Sequence, residues 1–350
     1  MYKIGICGHY GNGNVCLDGQ TIKTKTLTNT LIGEFGLKEI RIVDTYRGKT
    51  RFLIILFKLL ILIKNCQNVI ILPAHNSVRI FSPFLALLNL VYNRRLIYVV
   101  IGGWLPKLVF NHAILKKSLK KFDSIFVETE TAKKLLENQG FRNINILPNC
   151  KSLSIQKAED LIYINTYPLK LCTFSRIIPE KGIEDAIKTI IAINNNCKKC
   201  IYSLDIYGQI DDNYKERFLE LLQKSPKYIN YKGTVDYSQS TKVIKEYYAL
   251  IFPTKFYTEG IPGTIIDSYA AGVPVIATKW ESFKDVIDEG ITGIGVNFGD
   301  IEDLYNTLLK IANNPQRMNK MKLNCLEKAK NFESGKMIEI LVGGGYLTKD

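Results

Sequence analysis

Glu259-Gly260-Ile261-Pro262-Gly263-Thr264-Ile265-Ile266-Asp267-Ser268-Tyr269-Ala270-Ala271-Gly272-Val273-Pro274-Val275-Ile276-Ala277-Thr278 is the stretch on which the reading of this chain turns. Pro262 suits the first turn of a helix, where its missing N–H leaves nothing unpaired, and Gly260 and Gly263 allow other groups to approach the backbone closely. The small and apolar residues Thr264–Ala271 then read as a helix that stops at Gly272-Val273-Pro274, and Val275–Ala277 reads as a strand. Leu250–Pro253, just upstream, reads as a strand as well. Strand, loop, helix and strand in succession form the repeating unit of a parallel α/β sheet.

The same alternation runs outward in both directions. In the first half, Lys3–Cys7, Ile40–Val43, Asn68–Leu72, Leu96–Ile101, Ser124–Val127 and Ile144–Leu147 read as strands, with helical periodicity between them at Thr21–Phe35 and Thr131–Gln139. In the second half, Leu171–Phe174, Ser203–Tyr207, Ile229–Tyr231 and Gly293–Val296 join the two strands above, separated by helices at Ile183–Asn194, Tyr214–Gln223 and Gln239–Tyr248. The strand cores are apolar without alternation, as strands are when helices cover both faces of a sheet. A polar, irregular segment interrupts the pattern. We therefore expect a domain over residues 1–150, a linker over 151–170, a second α/β domain over 171–330 and a C-terminal tail over 331–350 whose last residues, from Val342, read as a frayed or unusual terminus. At 350 residues the chain is long enough for two such domains.

Apolar residues make up 46% and charged residues 23%, the balance of a soluble globular protein. The most apolar run, Phe52–Ile63, is interrupted by Lys58 and falls short of the ~20 residues a membrane-spanning helix needs. Met1-Tyr2-Lys3-Ile4-Gly5-Ile6 enters a strand at once and lacks the features of a signal peptide, so a cytoplasmic location is expected. Of the eight cysteines only Cys197 and Cys200 are closely spaced, a poor basis for a four-ligand zinc site. Charge is uneven: residues 1–150 carry 21 basic and 8 acidic side chains, and the rest carry 26 and 25. An excess of +13 on one half suits a polyanionic partner, such as an anionic membrane surface or a phosphorylated substrate. Nucleic acid would suit the charge too, but the chain has neither a recognised nucleic-acid module nor a basic stripe interleaved with aromatics. Arg51–Lys64 and Val78–Arg95 combine apolar faces with basic ends, and each reads equally as a buried helix or as one lying at a lipid interface.

The chemistry sits just after strands. A helix beginning near Gly263 offers unpaired amides and a positive dipole end, which can cradle a diphosphate. Asp267 lies four residues further on, ~6 Å along the axis, at the distance of the adjoining ribose. Carboxylates accept paired hydrogen bonds from vicinal hydroxyls, so Asp267 suits a ribose and Glu259 a sugar. Arg176 and Lys181, in Phe174-Ser175-Arg176-Ile177-Ile178-Pro179-Glu180-Lys181-Gly182, leave a strand on one loop and can converge on a diphosphate.

These two segments resemble glycosyltransferase family 4. The resemblance rests on the acids Glu259 and Asp267 with seven residues between them, the Gly-x-Pro-Val-Ile that follows, and the Arg176…Lys181-Gly182 pair. It is strong over residues 171–296, moderate over 1–150 and absent from the tail. The second acid of the family is usually Glu, and here it is Asp267. The resemblance implies a GT-B architecture, in which two Rossmann-like domains face each other across a cleft. It also implies a retaining transfer from a nucleoside diphosphate-sugar to a glycan acceptor, lipid-linked in bacterial surface polysaccharide assembly. Glu259, Arg176 and Lys181 would be catalytic. The donor would be bound by Gly260, Ile261, Gly263, Thr264 and Asp267, with Gly208 in Tyr207-Gly208-Gln209 and Val235 in Gly233-Thr234-Val235 bordering the nucleobase. In the first domain, Gly8-His9-Tyr10-Gly11-Asn12-Gly13 and Asp18-Gly19-Gln20-Thr21 match the family's glycine-rich loop, with Gly19 near the donor phosphates. Relatives often carry a histidine after the fourth strand, whereas here Tyr98-Val99-Val100-Ile101 runs into Gly102-Gly103-Trp104. His9, His75 and His112 read as loop or helix-surface residues, His9 having the best claim to the site. With no Asp-x-Asp pair, Arg and Lys supply the charge a cation would otherwise bring, and neither metal nor cofactor is expected. A sugar-nucleotide epimerase of the same fold and a non-enzymatic nucleic-acid binder remain the alternatives.

Overall fold

The structure, a computed structural model, describes residues 1–11, 19–46 and 51–348. The chain divides into two units, Met1–Ser152 with Phe332–Asp350 and Leu153–Asn331.

Among the described residues, the first unit is built on a parallel sheet of six strands: β1 Tyr2–Gly8, β2 Ile40–Asp44, β3 Cys66–Leu72, β4 Arg95–Val99, β5 Ser124–Val127 and β6 Ile144–Ile146. They lie in the order β2-β1-β3-β4-β5-β6. Helices α1 Gly19–Phe35, α2 Phe52–Asn65, α3 Val78–Tyr92, α4 Leu105–Phe110, α5 Ala113–Leu119 and α6 Glu130–Glu137 connect the strands. One core joins the sheet to α2 through α6, with Leu59, Leu62, Phe81, Leu85, Val109 and Leu115 buried against Val69, Ile71 and Tyr98. The other core lies under α1, where Leu27 and Leu31 meet Ile4, Ile6, Ile70 and Phe126. Each fully buried Leu or Ile contributes about 1.5–3 kcal/mol by leaving water.

The C-terminal tail, set apart from the domains in the sequence, completes this second core. Met337, Leu341 and Leu347 are at most 1% exposed and pack with Ile4, Leu27 and Leu147. Tyr346 stands edge-on to Phe126 with its hydroxyl donating to Asn145 Oδ1 at 2.7 Å, and Arg95 donates to the Tyr346 carbonyl at 2.8 Å. The Met337/Leu341 helical spacing was hidden in the sequence by the glycines that follow it; Lys349 and Asp350 lie outside the described residues.

The second unit carries β7 Leu169–Phe174, β8 Tyr202–Tyr207, β9 Ile229–Gly233, β10 Ala249–Phe252, β11 Val275–Thr278 and β12 Gly293–Val296, again all parallel. Among the described residues their order is β12-β11-β10-β7-β8-β9. Helices α7 Ile183–Asn196, α8 Lys215–Gln223, α9 Ser240–Ile244 and α10 Gly263–Ala270 lie between strands. α9 is shorter than its sequence pattern suggests. The segment expected as a linker lies along this unit, Gln156 N donating to the Ala270 carbonyl at 2.8 Å and the Tyr167 hydroxyl to the Ala312 carbonyl at 2.6 Å.

Candidate active site

From β7 the chain proceeds outward through β8 and β9, then returns to add β10 on the other side of β7. In open parallel sheets ligands bind outside the carboxyl ends of strands at such a reversal. Arg176 and Lys181 follow β7 and Glu259 follows β10, so the loops that carry the three candidates leave adjoining strands at this point, and Lys181 and Glu259 meet there.

Gly182 makes the meeting possible. It is left-handed, with φ of 67°, and a Cβ there would stand 1.8 Å from the Pro253 carbonyl oxygen. The turn Pro179–Lys181 therefore rests directly on the chain leaving β10. Lys255 N adds a hydrogen bond to the Glu180 carbonyl at 2.7 Å. The Lys181 ammonium donates to Glu259 Oε1, and Thr254 Oγ1 donates to the same oxygen at 3.0 Å. Lys181 also lies 5.3 and 5.1 Å from the ring centroids of Phe252 and Phe256, within cation–π range. At 18% and 16% side-chain exposure, Lys181 and Glu259 are shielded enough for the pair to hold its geometry. Thr254 is anchored in turn, its carbonyl accepting from Thr278 Oγ1 at 2.6 Å.

Arg176 is exposed and lines a pocket of about 350 Å³ with Ile178, Glu180, Asp211, Tyr214 and Phe256. Its loop is held by Gly208, whose φ is 141° and whose Cβ, were there one, would lie 1.8 Å from the Ser175 carbonyl oxygen. Gly208 N donates to the Gly233 carbonyl at 2.8 Å, and the Tyr231 hydroxyl donates to the Gly208 carbonyl at 2.9 Å. Val235 is half-buried in the loop after β9.

Gly263 and Thr264 open α10 behind Gly260 and the buried Ile261. The Thr264 hydroxyl oxygen is buried and has no hydrogen-bond partner among the described residues. It lies at the helix end that bears the positive pole of the dipole, a placement that fits an anionic oxygen acceptor. Asp267, one turn on, is 7% exposed and accepts from Ser240 Oγ at 2.8 Å.

The remaining candidates belong to the first unit. Gly19 is the exposed first residue of α1, and a Cβ on it would meet nothing within 4 Å. Gly13 and Asp18 lie outside the described residues. His9 shares a hydrogen bond with Thr21 Oγ1 at 2.8 Å, His75 is exposed beside Trp104, and His112 precedes α5. All three histidines belong to the first unit.

Three features escaped the sequence reading. Thr254 and Ser240 are the neutral partners of the two carboxylates, and nothing in their local pattern marks them. The third is a buried ion pair in the first unit, Lys23 to Glu128 at 2.6 Å, with the same ammonium donating to the Val100 carbonyl at 3.2 Å. It ties α1 to the ends of β4 and β5. A charged pair this buried adds little net stability, but either partner left alone costs several kcal/mol, about 3–5.

Residues 168–314, which include both loops and α10, match the family described as Glycosyl transferases group 1. The match takes in most of the second unit. An uncharacterized glycosyltransferase of Methanocaldococcus jannaschii is 23% identical over 232 residues, 64% of this chain. The chain spans 57% of the length of that relative. Sucrose-phosphate synthase from Thermosynechococcus elongatus superposes with a TM-score of 0.78 at 15% identity, covering 99% of this chain and 98% of its own. Anabaena HepE, solved in complex with UDP and glucose, superposes with a TM-score of 0.74 at 12% identity, covering 98% and 99%. The fold is thus the two-domain α/β arrangement of GT-B glycosyltransferases.

Proposed function

We propose that this protein is a retaining glycosyltransferase that moves a sugar from a nucleoside diphosphate-sugar to a hydroxyl of a glycan acceptor. The observation that carries the reading is the Lys181–Glu259 pair, set at the reversal of the sheet one loop away from the N-terminus of α10. Glu259 accepts from hydroxyls of the transferred sugar. Asp267 holds the ribose. The amides and Thr264 hydroxyl at the start of α10 receive the diphosphate, and Arg176 and Lys181 neutralise the charge that grows on it as the glycosidic C–O bond breaks. The acceptor oxygen bonds to the anomeric carbon on the face the diphosphate leaves, and the acceptor proton passes to a departing phosphate oxygen. HepE, of the same fold, was solved with UDP and glucose, which supports a nucleotide-sugar donor here.

The acceptor in this reading is lipid-linked and the pathway is surface polysaccharide assembly at the inner face of the plasma membrane; the basic first unit supports it. The test is release of nucleoside diphosphate from a panel of UDP-, GDP-, ADP- and dTDP-sugars, with EDTA present. Release from one donor class, abolished in Glu259→Gln, is expected. No release from any of them, with no thermal stabilisation by any, would sink the proposal.

A further inference from the structure

From Arg51 to Phe122 the chain holds eleven Lys and Arg residues and not one Asp or Glu. The structure gathers this stretch on one side of the first unit. α2, α3 and α5 pack side by side over the same core, each contributing its inner face: Ile55, Leu59 and Leu62 from α2, Phe81 and Leu85 from α3, Leu115 and Leu119 from α5.

Their outer faces are apolar as well. Leu53, Ile54 and Phe57 on α2 are 78%, 54% and 63% exposed, and Leu87, Leu90 and Val91 on α3 are 66%, 69% and 80% exposed. Phe110, the last residue of α4, and Ile114, the second of α5, are each 76% exposed. Lys58, Lys64, Arg79, Lys107, Lys117 and Lys121 are exposed on the same helices and their ends. Scattered exposed leucines are ordinary, but eight large apolar side chains on adjoining elements form a patch that needs a partner.

We infer that this face is a docking surface for an anionic lipid bilayer. Charge selects the occupant. The exposed basic residues stand on the same helices as the apolar crest, and residues 51–122 hold no Asp or Glu, so these helices are attracted to a surface of negative headgroups. Long Lys and Arg stems reach headgroups while the neighbouring Leu, Ile and Phe enter the acyl boundary. The membrane is thereby assigned a specific place on the molecule, and as a statement about partners it rests on the acceptor reading above.

The experiment is co-sedimentation of the full chain with vesicles of phosphatidylcholine alone or mixed with phosphatidylglycerol, without any sugar donor. Binding to the mixed vesicles only, lost at high salt, is expected. Two variants probe the two parts of the face. Phe57→Ser/Leu90→Ser/Ile114→Ser removes the crest. Lys58→Glu/Lys117→Glu reverses charge on α2 and α5, each basic residue near the surface being worth roughly fivefold in partitioning. Each variant, with its circular dichroism unchanged, should bind at least about tenfold more weakly. Undiminished binding in both variants, equal recovery on neutral vesicles, or a lipid-free dimer that the crest variant dissolves would overturn the assignment. Donor-dependent release of nucleoside diphosphate, measured separately, should survive in the crest variant. Vesicle binding as described with no such release from the wild type would retain this surface and remove only the transferase reading.

Discussion

The ammonium of Lys181 and the carboxylate of Glu259, 78 residues apart in the chain, are joined across the ends of β7 and β10. Each is the other's countercharge. In the proposed reaction Lys181 does two things: it faces the leaving diphosphate, and it holds the carboxylate that faces the sugar.

The first prediction follows from that double role. Lys181→Ala and Arg176→Ala should each reduce turnover by roughly 10²–10³, the loss of one electrostatic contact made in the transition state. Lys181→Ala and Glu259→Gln should be strongly non-additive, because removing either disorders the other, whereas Arg176→Ala should add to Glu259→Gln nearly independently. A double-mutant cycle on kcat/KM checks this; full additivity for the Lys181 cycle would mean that the pair does not act as a unit.

The two carboxylates should separate in steady-state kinetics. In the proposed reaction Glu259 touches the reacting sugar and Asp267 the ribose, so Glu259→Gln should act mainly on kcat and Asp267→Asn mainly on the donor KM, ribose contacts being alike in ground and transition states. Ser240→Ala removes the hydroxyl that donates to Asp267 and should raise the donor KM by up to ~10-fold, the worth of one hydrogen bond, with kcat nearly constant. The opposite assignment of kcat and KM effects would reverse the roles.

Gly182→Ala tests the scaffold beneath the site. An alanine at φ of 67° costs about 1–2 kcal/mol, and its Cβ would collide with the Pro253 carbonyl, so the turn bearing Lys181 has to lift. Denaturant unfolding should show a stability loss above that figure, and activity should fall well beyond what the loss of folded protein explains. Wild-type stability and activity would show that the contact is not required.

Lys322 gives a pH prediction away from the site. It lies on the helix Lys322–Ala329, is 1% exposed, and burial pushes its ammonium down to about 8. A lysine titrating lower in the folded chain than in the unfolded one destabilises fully below pH 8. That cost is relieved between about 8 and the ordinary lysine value near 10.4, where the unfolded chain binds more protons. Lys322→Met should therefore raise the melting temperature at pH 7, by a free energy of at most on the order of 3 kcal/mol, and its advantage should shrink as pH rises to 10. A constant difference across that range would show that the ammonium is solvated in the folded protein.

The strands were the most legible feature of the sequence. β1, β3, β5, β10 and β12 each lie within a residue or two of where unbroken apolar runs put them, because strands covered on both faces leave no room for alternation. The loops were legible through residue type: Gly182 and Gly208 occupy positions where a side chain has no space. What escaped was long-range. Lys23 and Glu128 are 105 residues apart, Ser240 and Asp267 are 27 apart, and no local pattern announces that two such residues will share a hydrogen bond. The outer faces of α2 and α3 are legible only with the fold in hand, because apolar periodicity alone does not say which side of a helix meets the sheet.

The return of residues 332–350 to the first unit bears on the order in which the protein is assembled. The second unit is continuous along the chain, from Leu153 to Asn331, and can close on itself as soon as it leaves the ribosome. The first unit cannot. Although most of it is made earlier, the core under α1 lacks Met337, Leu341 and Leu347 until the whole of the second unit has been synthesised. During that interval Ile4, Leu27 and Leu31 border an unfinished surface, so the first half of the chain to emerge is the last half to be sealed.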